Sequence, residues 1–325
     1  MSTLFNTSSI HIELSSKCVL KCPRCPRTEL DLDRINQEIS LEDFQRGFPP
    51  ETLQQIKHML FCGDIGDPIY ASDFLDIIGY IKQNSNVRIR TITNGSYKKA
   101  SWWSQLGHML DRNDMVTFSV DGWDDHSNNQ YRVNSNFASI QEGVRALRTS
   151  SACLIKWSTI YFAFNQDHID SIRDLARELG CNWFQTVKSS KFDHRYSVHG
   201  LDRLKPRPDL VSRDLIYDTN IDVINACEYE PIAVPSPLFP HAWARCLNYK
   251  KDLFVGVNGV VSPCPWFTSD YQLNEFVTQH RDRLNIRCRS FFDIMNDHQL
   301  WQQFQDRLDH KPIEICQLKC KNAQQ

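Results

Sequence analysis

Ile10 to Cys25 reads IHIELSSKCVLKCPRC. Its first five residues alternate apolar and polar, the pattern of a strand with one buried face. Directly after them stand Cys18, Cys22 and Cys25 in a C-x3-C-x2-C spacing. Three thiolates on one short loop can curl around three corners of an iron–sulfur cubane. A [4Fe–4S] cluster takes four ligands, so three cysteines leave one iron open to a further ligand. A zinc site lacking a nearby fourth ligand is the alternative. His11 is a poor fourth ligand, because it falls inside the strand.

Short apolar or alternating runs at His58–Cys62, Val87–Thr93, Met115–Val120, Leu154–Phe162 and Trp183–Val187 predict five more strands. Helical spacing occupies Leu41–Met59, with Ser40 as N-cap, then Ser72–Gln83, Ser101–Asp111, Phe137–Arg148 and His168–Leu179. Six β-then-α units in series predict an α/β fold, a partial (β/α)6 TIM-like barrel of parallel strands. Ligands of such sheets gather at the carboxyl ends of the strands. After Lys188 the chain turns polar, and Pro231 to Pro240 holds four prolines. The expected organisation is a core barrel over 1–190, a connecting segment over 191–240 and a small cysteine-rich domain over 241–325. That last part opens with a hairpin, Leu253 to Val261, turning at Asn258-Gly259, and continues with two helical patterns.

The 325 residues carry 37 Lys+Arg against 39 Asp+Glu, a formal net charge of −2. That balance excludes a strong electrostatic case for nucleic acid or an anionic membrane. The basic stretch Lys188 to Arg207 also contains Asp193 and Asp202, and reads as a solvated connector rather than an RNA-binding surface. Met1 to Ser9 has neither a basic nor an apolar signal region, and no run of 18 apolar residues occurs. The expectation is a soluble, cytoplasmic protein. In a reducing compartment clustered cysteines serve as metal ligands or redox groups rather than disulfides.

IHIELSSKCVLKCPRC resembles the opening of a radical S-adenosylmethionine enzyme. The resemblance implies that Cys18, Cys22 and Cys25 hold a [4Fe–4S] cluster whose open iron chelates S-adenosyl-L-methionine. One electron, from a donor such as flavodoxin or ferredoxin, would cleave that cosubstrate, and the resulting adenosyl radical would abstract hydrogen. Arg24 stands where the family often has an aromatic residue. Further matches follow in order. GDIGDP (Gly63 to Pro68) resembles the Gly-Gly-Glu-like motif, which implies that Gly63 and Gly66 admit the cosubstrate's ammonium and that Asp67 bonds it. Thr93-Asn94-Gly95 resembles the family's T-N-G stretch. Ser119-Val120-Asp121-Gly122 resembles its S-x-D-G stretch. Arg132, in NNQYRVNSNF, matches an arginine that can fork onto a carboxylate, and Asn165 would lie near the adenosine.

Near the other end, Cys246 is followed by twelve residues, Gly259, four residues and Cys264, and Cys316 and Cys320 close the chain in CQLKC. Four thiolates suffice for a complete cluster or for zinc. CLNYKKDLFVGVNGVVSPC resembles the start of a SPASM/Twitch auxiliary-cluster domain. The resemblance implies an auxiliary [4Fe–4S] cluster on Cys246, Cys264, Cys316 and Cys320, with Cys288 able to replace one of them. Cys62, Cys153, Cys181 and Cys227 read as packing residues. The resulting expectation is an enzyme, oxidoreductase-like, acting on a small-molecule substrate. The alternatives are modification of a peptide or protein and, behind it, of RNA. Only 17 residues precede Cys18, too few for the leader-binding domain that peptide-modifying members often carry.

Overall fold

Alternation decides how each strand sits. In β1 (Ser9–Ile12), β2 (His58–Phe61), β3 (Arg88–Thr93), β4 (Met115–Ser119), β5 (Leu154–Ile160) and β6 (Trp183–Val187) every second side chain enters one core. Ile10, Ile12, Met59, Phe61, Ile89, Val116, Phe118, Ile155, Trp157 and Phe184 meet the crossover helices there, packed on Phe44, Ile78, Trp103, Leu147 and Ile172. The opposite, concave face carries Leu60, Arg90, Ile92, Thr117, Lys156, Ser158 and Gln185. The computed structural model describes residues 7–29, 31, 36–189, 192, 202–217, 244, 246, 253–267, 275–310, 314–317 and 320.

Strands β1 to β6 lie side by side in sequence order and all pair in parallel. This is the expected half-barrel, an open sheet whose loops after each strand converge at one end. Helices follow the predicted order, with two corrections. The helical spacing of Leu41–Met59 is not one helix. Ser40 caps Leu41–Gly47 by accepting the Asp43 amide at 3.1 Å, but the chain then breaks at Pro49-Pro50 and resumes only as Pro50–Leu53. Proline lacks the amide that would continue the helix and forces extended backbone on the residue before it. A second correction concerns the start expected at Ser72. The helix spans Phe74–Asn84, behind a 3-10 turn at Pro68–Tyr70.

Two features lay outside the strand pattern read from sequence. Within the expected connector, β7 (Arg213–Ile216) runs antiparallel to β6, where Asp214 accepts the Trp183 indole N–H at 3.1 Å. In the C-terminal part, β8 (Leu253–Val255) pairs in parallel with β1, and β9 (Val261–Ser262) returns antiparallel to β8. The expected hairpin therefore exists, and it extends the barrel sheet beyond β1. Among the described residues four helices follow, at Glu275–Gln279, Phe291–Met295, His298–His310 and Glu314–Cys316, two more than expected. Cys153 and Cys181 are buried in the core as expected, while Cys227 and Pro231 to Pro240 lie outside the described residues. Among the described residues no helix is long and apolar enough to cross a membrane.

Arg287 fastens this C-terminal part to the barrel. Its guanidinium donates to Asp43 Oδ2 at 2.8 Å, to the Glu38 carbonyl at 2.9 Å and to the Asn258 carbonyl at 3.0 Å. Charge-assisted bonds are worth more than neutral ones. Arg287→Ala should cost about 2 kcal/mol of stability, read as a lower urea midpoint, and Arg287→Lys should recover only part of it, since an ammonium cannot serve three divergent acceptors as a planar fork does.

Candidate metal centre

The cysteine loop leaves the carboxyl end of β1 and is held on three sides. The Lys21 amide donates to the Val133 carbonyl at 3.0 Å, and the Asn134 side-chain amide donates to the Val19 carbonyl at 2.7 Å. Arg24 pairs with Asp202 and, at 3.5 Å, with Glu29, so the residue that departs from the family's aromatic ties the loop to the segment after the barrel. Arg27, buried, bonds the Ser16 carbonyl. One wall of the loop is apolar. Leu20 and Cys22 pack with Tyr131, Phe162, Phe192 and Leu204, and Cys18 and Cys25 border the same cluster. The Tyr131 and Phe162 rings lie 4.2 Å apart.

The other wall is polar and comes from the loops after β2, β3 and β4. Asp67 is buried, and its carboxylate is committed to protein donors. Oδ2 accepts from the Asn94 amide at 2.7 Å, the Asn94 side chain at 2.6 Å and the Thr93 hydroxyl at 3.1 Å, while Oδ1 accepts the Ile69 amide at 3.2 Å. Asn94 in turn reaches the Cys18 sulfur at 3.7 Å, and its Oδ1 accepts from the Ser96 amide and the Tyr70 hydroxyl. Burial pushes the Asp67 carboxyl up to about 6, against the donors and the nearby Arg132 charge. Arg132 donates through Nε to Asp121 Oδ2 at 2.6 Å, and Asp121 Oδ1 accepts the Ile160 amide at 2.7 Å. Asp121 is fully buried, so it anchors Arg132 rather than lining an open surface. Arg132 also lies within electrostatic reach of Cys22. Asn165 is fully buried, with its side chain bonded to the backbone of Asp121, Ile160 and Phe162. Ser119 stands half-buried at the end of β4.

One residue of this centre gave no motif signal. Glu13, buried one position beyond β1, accepts the amides of Asp64, Ile65 and Gly66 on a single oxygen at 2.7, 2.8 and 3.1 Å. The glycine loop is thereby wrapped around a buried carboxyl group. Its fit is close enough that a Cβ on Gly66 would lie 1.8 Å from the Ser15 carbonyl oxygen, and one on Gly63 would lie 2.0 Å from the Gly66 oxygen. The signal available in the sequence was an acidic residue at the core end of a strand, where only a cluster of donors makes burial tolerable. His11 donates to or accepts from the Cys62 carbonyl at 2.7 Å, in keeping with its place inside the strand.

The second group of cysteines also comes together. Cys264 ends the β9 turn, and Cys316 and Cys320 lie on the final turns of the chain. Burial first, then the neighbouring Cys264 and Cys320, pushes the Cys316 thiol up to about 12. Cys246 is buried in the core that Cys264 and Cys316 border, whereas Cys288 is exposed. In the N-terminal group, burial raises the Cys18 thiol, with Asp67, Cys22 and Cys25 adding to it. Neutral thiols pressed together in this way become ligands once a metal supplies the opposing charge. No three His, Cys, Asp or Glu side chains among the described residues converge as on one metal ion. The donor chemistry in both places, thiols beside apolar residues, fits a polynuclear iron–sulfur group. A cavity of about 700 Å³ lined by Gln54, Lys57, His58 and Arg88 lies at the opposite, amino-terminal ends of β2 and β3, away from all of these groups.

The fold is similar to that of solved structures that hold bound S-adenosylmethionine. Native anSMEcpe with bound AdoMet and Cp18Cys peptide is similar at a TM-score of 0.54 and 15% identity, over 96% of this chain and 86% of that one. Streptococcus suis SuiB is similar at a TM-score of 0.58 and 15% identity when bound to precursor peptide SuiA, over 92% of this chain and 66% of SuiB. The S-adenosylmethionine-bound form of SuiB gives a TM-score of 0.57 at 14% identity. No family model matches the sequence, and no curated protein matches it.

Glu13 offers a pH test. Burial, then the Asp64 charge, pushes its carboxyl from 4.5 up to about 8. The folded state therefore binds this proton more tightly than the unfolded chain, and the stability so gained is lost as pH rises through about 8. Wild-type melting temperature should fall between about pH 7 and 8, above the value near 6 at which Asp67 titrates. Glu13→Gln, which keeps a carbonyl for the three amides, should flatten that fall. An identical slope in both proteins would assign the titration elsewhere.

Proposed function

We propose that this chain is a radical S-adenosylmethionine enzyme, oxidoreductase-like, that removes hydrogen from a small molecule. The observation that carries the reading is the meeting of Cys18, Cys22 and Cys25 with Asp67, Asn94 and Arg132 at the carboxyl end of a half-barrel. When bound, the [4Fe–4S] group and S-adenosylmethionine supply a one-electron reductive cleavage whose adenosyl radical abstracts hydrogen.

The chain's own residues have separable tasks in this reading. Cys18, Cys22 and Cys25 are the cluster ligands. The glycine loop, shaped by Glu13, offers backbone to the cosubstrate's ammonium with Gly63 and Gly66 leaving the room. Asp67 acts chiefly through Asn94, whose orientation it fixes beside Cys18. Arg132, held cationic and aimed by Asp121, serves the cosubstrate carboxylate or balances the thiolate charge at Cys22. Ser119 faces the same mouth, its hydroxyl without a partner among the described residues. Cys246, Cys264, Cys316 and Cys320 would hold an auxiliary cluster, and four thiolates would close it, which suits electron relay. A small acidic redox protein such as flavodoxin or ferredoxin would deliver the electron. A second reading, modification of a peptide or protein, is favoured by the peptides bound to anSMEcpe and SuiB.

Anaerobically reconstituted protein given a reductant and S-adenosylmethionine should release 5′-deoxyadenosine, and Cys22→Ala should release none. Release surviving in Cys22→Ala with its iron intact would overturn the assignment. Two cubanes correspond to about eight iron atoms, and Cys316→Ala should lower the content toward about four while deoxyadenosine release persists. Zinc at the second site would overturn the relay, since zinc has no redox chemistry.

A further inference from the structure

The concave face of the sheet holds polar side chains that the fold leaves without work. Register sets Ser119 of β4 beside Ser158 of β5, and Ser158 beside Gln185 of β6. All three are half-buried, and none of their side chains has a hydrogen-bond partner among the described residues. A row of unanswered hydroxyl and amide groups at the carboxyl end of three adjacent strands is a surface suited to a polar ligand.

Below that row, on the same face, lies Arg90 of β3. Its neighbours in register are Leu60 and Met115, both apolar, and the diagonal positions are His58, Cys62 and Thr117. None is acidic. Arg90 is half-buried and makes no ion pair or hydrogen bond among the described residues. The arginines of the site described above are answered: Arg24 by Asp202, Arg132 by Asp121 and Arg27 by the Ser16 carbonyl. A guanidinium stays charged at any ordinary pH, and one withdrawn from water is normally paired. Lys156, on the same face, lies with its Nζ 4.1 Å from the centroid of the Trp183 ring. Its strand-end carboxylate Glu13 is turned to the amides of the glycine loop. Arg90 stands four residues before Asn94, about 13 Å along the strand.

We propose that Arg90 receives the acidic group, a carboxylate or a phosphate, of a small anionic substrate whose remaining polar atoms meet Ser158 and Gln185. The planar fork of arginine suits either group bidentately. This assignment rests on the radical S-adenosylmethionine reading and names the substrate class for that same site.

The test is calorimetric titration of the reconstituted protein, loaded with S-adenosylmethionine at constant ionic strength, with inorganic phosphate and separately with succinate. One anion should bind saturably, and the preferred one tells phosphate from carboxylate. Arg90→Gln should weaken it at least about tenfold, with Arg90→Lys in between, while Arg112→Gln, at an exposed position, should leave it unchanged. No binding of either anion, or equal binding by Arg90→Gln, overturns the proposal. In a metabolite extract the compound consumed should be anionic at neutral pH, and a neutral one would overturn the proposal as well. Deoxyadenosine release without substrate should be the same in wild type and Arg90→Gln. Its absence from wild type would sink the radical reading alone, whereas its loss only in Arg90→Gln would count against a substrate role for this arginine.

Discussion

Two buried carboxyl groups sew the upper end of the sheet together. Glu13 gathers three successive amides of the loop after β2. Asp67, at the end of that loop, gathers Thr93 and Asn94 from the loop after β3. The Asp67 amide donates to the Lys17 carbonyl at 2.9 Å, one residue before the first cysteine. Removing a carboxylate from water costs several kcal/mol unless donors replace the lost hydration. Here the replacements are mostly backbone amides, so the two acids and the loop conformations require one another. The cysteine, glycine and T-N-G loops consequently form one rigid rim rather than three independent turns.

That rim gives the cysteine loop two unlike sides. Against Tyr131, Phe162 and Leu204 it is dry, which raises the cost of any uncompensated thiolate. Against Asn94 and Arg132 it meets a hydrogen-bond donor and a fixed cation. Hydrogen bonds to sulfur, local charge and low polarity are the means by which a protein sets the behaviour of an iron–sulfur group. Arg132 can act in this way because Asp121 holds it, and Asp121 is held by the Ile160 amide. The chain of dependence runs from β5 through β4 to the cysteines.

The C-terminal cysteines are carried by a segment that is continuous with the barrel sheet. Strand β8 occupies the edge of β1, and the Glu13 amide donates to the Val255 carbonyl at 2.9 Å. The residue that shapes the glycine loop is thus also a partner of the segment leading to Cys264. A parallel sheet edge left open would invite other chains, and β8 covers it while bringing the second thiol group to the same body.

The sequence by itself determined the six parallel strands, because period-2 alternation and turn residues are local properties written in consecutive positions. It also determined the cysteine loop, the glycine loop and the T-N-G stretch, since each follows a strand end, and Arg132 through the motif it stands in. His11 within β1, the Ser40 cap and the Asn258-Gly259 hairpin were legible for the same reason. Only the tertiary structure decided what those residues touch. The donors on Asp67 come from 26 and 27 residues away, and those on Glu13 from 51 to 53. Such pairings leave no periodic trace. The break at Pro49-Pro50 lost to a helical spacing that carried on through it. Strands β7 and β8 were too short to announce their partners. Arg90 read as one more polar residue of an alternating strand. Its lack of a counterion among the described residues is a property of three neighbouring strands in register, and register across a sheet is set by the packing of the whole.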